Sequence, residues 1–315
     1  MTFFLGIDAG GSKTRAAVGD EHRILGRADT SSSKIQRVGE AEARRTLRAV
    51  IQEACGAAGI APNRIAQACI GISGFSDPDV VERVRSIVGE TVPAPVEVVG
   101  DMLIALEAAL GPLPGCIVNA GTGSFALGRN ERGICVRVGG WGPAISDEGS
   151  GYWIGHAAVA AVLRAHDSGE STALAGAITQ AWHLGTYEDF VRVASASPPP
   201  DFAQLFPTVL REAEQGDPIA GEVLERAGAE VAELARLAIR RLWPDSTRVR
   251  VVIVGGVLES SWPTRRAFAA GLRKSCPDCA ISFGAVEPVL GAVAIAKKHS
   301  ASSIQHSVHG ASRGI

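Results

Sequence analysis

Two segments of this 315-residue chain begin in the same way, with three short strand patterns separated by tight turns. The first set comprises Phe3 to Ile7, Thr14 to Gly19 and Arg23 to Asp29; the second comprises Cys116 to Asn119, Ser124 to Gly128 and Ile134 to Val138. Strands joined by such turns pair as antiparallel hairpins. Strand and helix patterns follow each set, and Gly111-Pro112-Leu113-Pro114 separates the two halves. We therefore expect a duplicated α/β fold of two lobes, because a doubly wound domain would alternate strand and helix from the start.

The composition supports this division. A chain of 315 residues with 46% hydrophobic content is long enough for two cores, because single cores stop growing near this size. We place an N-terminal lobe at residues 1–112 and a C-terminal lobe at residues 113–315.

The charge pattern argues against nucleic-acid and membrane partners. The formal net charge is −2, and no run of five or six like charges occurs. No apolar stretch approaches the roughly 20 residues that span a bilayer, and the first residues lack a basic leader. We expect a cytoplasmic protein with no membrane and no nucleic-acid partner.

The six cysteines lie mostly in apolar segments, as buried free thiols do in a reducing compartment. Cys276 and Cys279 form a CxxC pair, but no second CxxC or paired histidines exist to complete a zinc site. A metal or redox role is therefore the less favoured interpretation of this pair.

The first glycine-rich turn follows Asp8 and lies directly between two predicted strands. Its glycines let backbone N–H groups approach an anion, and its side chains add donors. Asp8 can hold Mg²⁺ through water, because magnesium gives up its hydration reluctantly. The alternative is a plain hairpin turn with an incidental aspartate. The predicted phosphate-binding residues of this turn are Gly10, Gly11, Ser12, Lys13 and Thr14.

The second turn, Gly121 to Gly123, matches part of a dinucleotide-binding fingerprint. That fingerprint requires a helix to begin at the turn, whereas Phe125 to Leu127 continue as a strand. The turn is therefore predicted to be a hairpin, and the sequence contains no P-loop motif. We expect Gly121, Thr122 and Gly123 to hold the β- and γ-phosphates from the side opposite the first turn.

A third turn, Gly255 and Gly256, ends the apolar run Val249 to Val254 and leads into a helix. Its open backbone can admit a flat adenine and its ribose. A strand-Gly-Gly-helix turn is also common in α/β proteins without any such role.

The three turns, in this order and separation, resemble those of the sugar kinase, actin and heat-shock chaperone superfamily. They more closely resemble the BadF/BadG/BcrA/BcrD ATPase family, which includes N-acetylglucosamine kinase. The likeness covers roughly residues 3–298, and its most specific stretch is GGWGPAISDEGSGYWIG at residues 139–155. It implies two actin-like (ribonuclease H-like) lobes with a nucleotide cleft between them, and ATP and Mg²⁺ as cofactors. We also expect a homodimer, because cytosolic kinases of this shape often dimerise.

Asp101 is the candidate catalytic residue. It follows the strand pattern Val96 to Val99 and Gly100 and precedes a helix. A carboxylate at this edge of a sheet can accept the proton of a hydroxyl that attacks the γ-phosphate. The local pattern also fits an ordinary N-cap, and the resemblance favours catalysis because the family's catalytic aspartate stands at this position.

The resemblance also implies a sugar-binding set. Carboxylates and backbone groups read sugar hydroxyls, while an aromatic ring covers an apolar face. The chain departs from many relatives at Lys34, where they carry Asn. An ammonium there disfavours protonated glucosamine and so favours N-acetylglucosamine. The implied substrate-binding residues are Lys34, Ser73, Gly74, Asp101, Trp141, Gly142 and Asp147.

The implied activity is ATP-dependent phosphorylation of an amino sugar, with N-acetylglucosamine giving its 6-phosphate. Glucosamine is the alternative substrate. An activator-type ATPase that drives a partner enzyme is the alternative function, but such relatives hold an iron–sulfur cluster with cysteines, and no cluster arrangement is evident here. A sugar-sensing regulator would need a DNA-binding helix-turn-helix or a basic face, and neither is found.

Overall fold

The computed structural model describes the backbone of residues 1–11, 13–75, 77–246, 248–284 and 286–310, and side chains up to residue 300. The chain divides into two compact units. Unit 1 consists of Met1–Leu113 and the segment that begins at Val286, and unit 2 consists of Pro114–Ala285.

Unit 1 is built on a five-stranded sheet in the order β3-β2-β1-β4-β5. The first three strands pair antiparallel through short turns, as predicted, while β1, β4 and β5 are parallel. The helix α2 packs its apolar stripe, including Leu47, Val50 and Ile51, against one face of this sheet. The elements of the first segment are β1 (Phe3–Ala9), β2 (Lys13–Gly19), β3 (Ile24–Ser31), α1 (Ile35–Val38), α2 (Glu40–Ala57), β4 (Ile65–Ile72), α3 (Pro78–Gly89), β5 (Val96–Gly100) and α4 (Asp101–Leu110).

Unit 2 repeats this topology. Its sheet has the order β10-β9-β6-β7-β8, with antiparallel β6, β7 and β8 and parallel β6, β9 and β10. The duplication predicted from the sequence is therefore confirmed. The elements are β6 (Gly115–Ala120), β7 (Ser124–Arg129), β8 (Cys135–Gly139), α5 (Gly151–Ser168), α6 (Ala173–Trp182), α7 (Tyr187–Ala194), α8 (Phe206–Glu214), α9 (Pro218–Leu242), β9 (Arg250–Val254), α10 (Gly256–Ser260), α11 (Trp262–Ser275) and β10 (Ala280–Phe283).

The long helical region of unit 2 is organised by α9. Asp217 begins this helix, and its Oδ1 accepts a hydrogen bond from Ala220 N at 2.9 Å. Its Oδ2 accepts a hydrogen bond from Ala173 N at 2.8 Å, so one carboxylate satisfies the N-termini of two helices. None of the helices in the described ranges is both long and apolar enough to cross a bilayer.

The last helix, α12 (Pro288–Gly310), belongs to unit 1, whereas the sequence placed it in the C-terminal lobe. Val289, Val293 and Ala296 pack with Phe4 on the sheet face opposite α2. Gly6 has no side chain to obstruct this contact, since a methyl group there would overlap the Val293 backbone. The prediction followed chain order, which cannot show that a terminal helix returns to the first sheet.

The cysteines differ from the expectation in one pair. Cys276 and Cys279 form a disulfide between α11 and β10, with their Cα atoms 5.5 Å apart. Cys55, Cys69 and Cys116 are buried free thiols as predicted, and Cys135 is free and exposed. Cys276 and Cys279 are thus not free thiols, because a two-residue turn brings their sulfur atoms together.

Candidate active site

In unit 1, the carboxyl ends of β1, β4 and β5 meet at one edge of the sheet. The pairing register places Asp8 beside Gly71, and Ile72 beside Gly100. Asp101 follows Gly100 directly. Asp8 and Asp101 therefore lie at the same edge, which is where open α/β sheets bind ligands.

Asp8 is a half-buried carboxylate in an unfavourable environment. Burial raises its pKa from 3.8 to about 6; the Arg15 guanidinium opposes this shift, and the negative charge of Asp101 adds to it. Arg15 is the β2 residue opposite Asp8 in the antiparallel register. Because the ionised Asp8 carboxylate is poorly hydrated, a cation that enters with a ligand would stabilise it.

Asp101 is the first residue of α4, and Gly100 occupies the N-cap position. The Oδ1 atom of Asp101 accepts a hydrogen bond from Met102 N at 2.9 Å. The N-cap interpretation is therefore wrong in detail, since Asp101 lies inside the first turn. Its carboxylate still lies at the positive end of the helix dipole, at the edge that also holds Asp8.

The β1–β2 turn contains the first set of predicted phosphate-binding residues. Gly11 faces open space, and Lys13 is exposed; Ser12 lies outside the described residues. Thr14 is fully buried, and its Oγ1 donates to Ser33 Oγ at 2.8 Å. The predicted role of the Thr14 hydroxyl as a phosphate donor does not fit this position, because the hydroxyl supports the turn from beneath.

The turn is held by a segment that sequence reasoning missed. Ser33 N donates to Thr14 Oγ1 at 3.0 Å, and Ser32 Oγ donates to the Gly10 carbonyl at 3.2 Å. The Arg37 guanidinium donates to the carbonyl oxygen of Gly11. These contacts join residues 19 to 26 positions apart, so no local pattern predicts them.

The predicted sugar-facing turn, Ser73 and Gly74, follows β4. The Ser73 hydroxyl is buried and has no hydrogen-bond partner among the described residues. A crevice of only about 10 Å³ beside it is lined by Lys34, Gln36 and apolar core residues such as Leu47 and Val80. Gly74 has φ of 87°, and a methyl group there would lie 3.0 Å from Gln36 Nε2. The structure thus places Lys34 and Gln36 beside the Ser73–Gly74 turn.

In unit 2, the turn Gly121 to Gly123 is a hairpin and not the start of a helix. The Gly121 and Thr122 carbonyls accept hydrogen bonds from Gly151 N and Tyr152 N of α5, at 2.8 and 3.4 Å. The first turn of α5 therefore fixes this hairpin, and the exclusion of a dinucleotide fingerprint is confirmed.

Asp147 lies against this hairpin in a conformation that non-glycine residues rarely adopt, with φ of 65°. A methyl group on Gly123 would lie 2.9 Å from its Oδ2 atom. Burial raises the pKa of Asp147, while hydrogen bonds from the backbone N–H groups of Ser124 and Gly142 lower it. Two backbone donors thus hold this carboxylate, and its left-handed backbone makes Asp147 a candidate functional residue.

Trp141 and Gly142 form the exposed side of the same loop. Trp141 is 64% exposed, and the Arg137 guanidinium carbon lies 3.9 Å from its ring centroid. Gly142 has φ of 100°, and its carbonyl accepts a hydrogen bond from Ser146 N at 2.9 Å. Trp141 therefore presents an aromatic surface near Asp147 within unit 2.

The Gly255–Gly256 turn follows β9, beside the end of β6. A methyl group on Gly255 would lie 2.5 Å from the Ala120 carbonyl oxygen, so this glycine is required for close packing. Gly256 begins α10 and faces open space. Of the two glycines predicted to bind adenosine, Gly255 is therefore required for packing, and Gly256 is accessible.

Comparisons with known proteins agree with this arrangement. The profile of the BadF/BadG/BcrA/BcrD ATPase family matches residues 5–296. An N-acetylmuramic acid/N-acetylglucosamine kinase of Clostridium acetobutylicum is 31% identical over 304 residues, covering 94% of this chain and 99% of the relative. An N-acetyl-D-glucosamine kinase of Dictyostelium discoideum is 29% identical over 311 residues, covering 93% and 97%.

Among solved structures, a proposed N-acetylglucosamine kinase from Chromobacterium violaceum superposes with a TM-score of 0.74 at 25% identity. The match covers 93% of this chain and 98% of that protein. Together with the two sheets of identical topology, this likeness confirms the α/β, actin-like fold class.

Proposed function

Because the chain belongs to the BadF/BadG/BcrA/BcrD ATPase family, we propose that it transfers the γ-phosphate of ATP to the 6-hydroxyl of N-acetylglucosamine. The observation that carries this proposal is the carboxylate pair Asp8 and Asp101 at one sheet edge, beside a glycine turn. Relatives that match almost the whole chain are named as kinases of N-acetylated amino sugars.

Asp101 is the proposed general base. It accepts the proton of the sugar hydroxyl as the oxygen attacks phosphorus, which is the usual task of such a carboxylate in phosphoryl transfer. Its position in the first turn of α4 fixes the carboxylate through the hydrogen bond from Met102 N. A fixed base needs little reorganisation during the reaction.

Asp8 is the proposed partner of Mg²⁺, through water. No group of three or more His, Cys, Asp or Glu residues in the described ranges is arranged to hold a metal. Mg²⁺ keeps several of its waters and binds one or two carboxylates together with substrate phosphates, so the Asp8 carboxylate is a suitable partner. When bound, the ion would neutralise phosphate charge and would also stabilise the ionised form of Asp8, which burial disfavours and Arg15 only partly compensates in the free protein.

Residues of unit 2 are assigned binding roles of their own. We assign the backbone of the Gly121 to Gly123 hairpin to the phosphates, Gly256 to the adenosine and Asp147 to sugar hydroxyls. The raised pKa of Asp147 and its left-handed backbone support a binding role over a purely structural one. Trp141 offers an exposed ring of the kind that covers the apolar face of a sugar.

A carboxylated amino sugar such as N-acetylmuramic acid is the second candidate substrate, and Lys34 is the observation that favours it. Within the described residues Lys34 forms no ion pair, and it lines the crevice beside Ser73. An unpaired ammonium attracts a carboxylate substituent and repels the protonated amine of glucosamine. N-Acetylglucosamine is neutral, so it is compatible with an ammonium at this position.

An activator-type ATPase is disfavoured by the cysteines. Cys116 is buried, Cys135 is exposed, and Cys276 and Cys279 are joined to each other. No cysteine cluster for an iron–sulfur centre exists within the described part of the chain. The homodimer and the cytoplasmic location remain predictions.

The test is an ADP-release assay with N-acetylglucosamine, N-acetylmuramic acid, glucosamine and glucose, with and without Mg²⁺. Asp101→Asn should lower turnover by about 10² or more while ATP affinity stays nearly unchanged. Asp167→Asn, an exposed aspartate on α5, serves as the matched control. Wild-type turnover in Asp101→Asn, or no sugar-dependent ADP release by the wild type, would contradict the proposal.

A further inference from the structure

One short stretch of unit 1, Ser32 to Arg37, contacts both of the turns that we assign to ligands. We call it the bridging segment. It leaves the end of β3, crosses the β1–β2 turn and forms the four-residue helix α1 beside the Ser73–Gly74 turn. The two turns follow different strands, β1 and β4, and the bridging segment joins them through side chains.

Its contacts with the β1–β2 turn are made at three positions. At the end of the turn, Ser33 and Thr14 form a pair of buried hydrogen bonds at 2.8 and 3.0 Å. At its start, Ser32 Oγ donates to the Gly10 carbonyl. Between them, the exposed Arg37 guanidinium donates to the Gly11 carbonyl. The conformation of the glycine turn therefore depends on where this segment lies.

The residues of the bridging segment that contact the Ser73–Gly74 turn lie between Ser33 and Arg37 in sequence. The Gln36 amide lies against Gly74, which has no side chain to displace it. Lys34 and the unpartnered hydroxyl of Ser73 line the same crevice. A sugar bound at this turn would supply partners for the Ser73 hydroxyl and the Gln36 amide.

The bridging segment has little stability of its own. A helix of four residues does not form in isolation, and α1 buries none of its residues. Gly39, with φ of 80°, separates α1 from α2, so the longer helix does not extend into it. Ile35 is partly buried against the core of unit 1, and the rest of α1 depends on contacts at its ends, so few buried contacts support it and its local stability is low.

From these contacts we propose that the bridging segment couples sugar binding to the phosphate-binding turn, with Arg37 as the positioning residue. The inference rests on the proposed function, because it takes a neutral amino sugar as the ligand at Ser73–Gly74. Sugar contacts at Lys34 and Gln36 fix α1, and α1 then holds Arg37 on the Gly11 carbonyl. Sugar binding offsets the free-energy cost of ordering the bridging segment. The nucleotide then binds to a β1–β2 turn that is already ordered.

The coupling is measured by titrating Mg·AMP-PNP into the protein by calorimetry, with and without saturating N-acetylglucosamine. We expect the sugar to tighten nucleotide binding by about 10-fold in the wild type, a typical size for coupled sites. Arg37→Ala should reduce this factor to about 3 or less, and Arg37→Lys should restore part of it. Arg45→Ala is the matched control, since Arg45 is an exposed arginine paired only with Glu42 among the residues described.

A second measurement covers the case of a variant that does not fold. Hydrogen exchange of the wild type with N-acetylglucosamine alone should slow in peptides from residues 33–39 and in the peptide that contains Gly11 and Thr14. Protection of the first region without the second would overturn the coupling.

The outcomes separate the two proposals. Failure of the wild type to bind N-acetylglucosamine would refute the proposed function, and the coupling would fall with it. Binding of both ligands with a coupling factor near one would refute the coupling alone. So would an unchanged factor in Arg37→Ala.

Discussion

Replacing Asp8 by Asn should stabilise the ligand-free protein and weaken catalysis. Burial raises the pKa of Asp8 from 3.8 to about 6, so the folded protein holds this proton more tightly than the unfolded chain. A folded pKa above the unfolded one contributes stability that is complete below the unfolded pKa and is lost as pH rises through the folded pKa. For Asp8 the loss falls between about pH 4 and pH 6, and its full size is about 3 kcal/mol at 1.36 kcal/mol per pKa unit.

Asp8→Asn removes the ionisation and keeps the size of the side chain. The variant should exceed the wild type in free energy of unfolding by about 3 kcal/mol at pH 7.5 and by about half of that at pH 5. Its kinase activity should fall, because stability gained at a strained site is commonly lost from function.

The assay is urea denaturation of the ligand-free protein at pH 5, 6 and 7.5, followed by far-UV circular dichroism. All five tryptophans lie in unit 2, so tryptophan fluorescence reports the unfolding of that unit. The part of the circular dichroism change that does not follow the fluorescence is then assigned to unit 1. Asp29→Asn, an exposed aspartate on β3, is the control and should change stability by less than about 0.5 kcal/mol. Equal stability of Asp8→Asn and the wild type at pH 7.5, or a difference that does not grow with pH, would refute the reasoning.

Two glycines give further predictions. Gly123→Ala should raise the KM for the sugar by about 10-fold or more in the ADP-release assay, because the new methyl group displaces the Asp147 carboxylate; Gly176→Ala, in open space on α6, should leave the KM unchanged. Gly291→Ala should lower the free energy of unfolding of unit 1 by about 1–3 kcal/mol or more, because its methyl group overlaps the α4 backbone. Gly221→Ala on α9 has open space and should be neutral or slightly stabilising in the same denaturation series, so equal effects of these two variants would contradict the packing argument.

The parts of the site that could be predicted from the sequence are those fixed by local chemistry. Glycine turns between strand patterns predict hairpins, and parallel strands that end together bring Asp8 and Asp101 to one edge. The GGWG to DEGS stretch indicates Asp147 as a candidate binding residue. No pattern in the sequence predicts the left-handed backbone of Asp147.

The parts that could not be predicted depend on side chains distant in sequence. Ser33 and Arg37 reach the first turn from 19 and 26 positions away, and a serine or arginine in a polar stretch carries no sign of such a partner. Thr14 was assigned to phosphate because a hydroxyl in a glycine turn resembles a donor. Only the structure shows that this hydroxyl points into the protein.

The return of α12 to the first sheet has a consequence for biosynthesis. Unit 2 is continuous in sequence and is complete once residue 285 has been made, whereas one sheet face of unit 1 is covered only by α4 until α12 emerges. We therefore expect unit 2 to fold on the ribosome while unit 1 is still waiting for its final helix. A nascent chain that stops before Val289 would leave Phe4 and Cys69 on an incompletely covered sheet surface, open to chaperones or to aggregation.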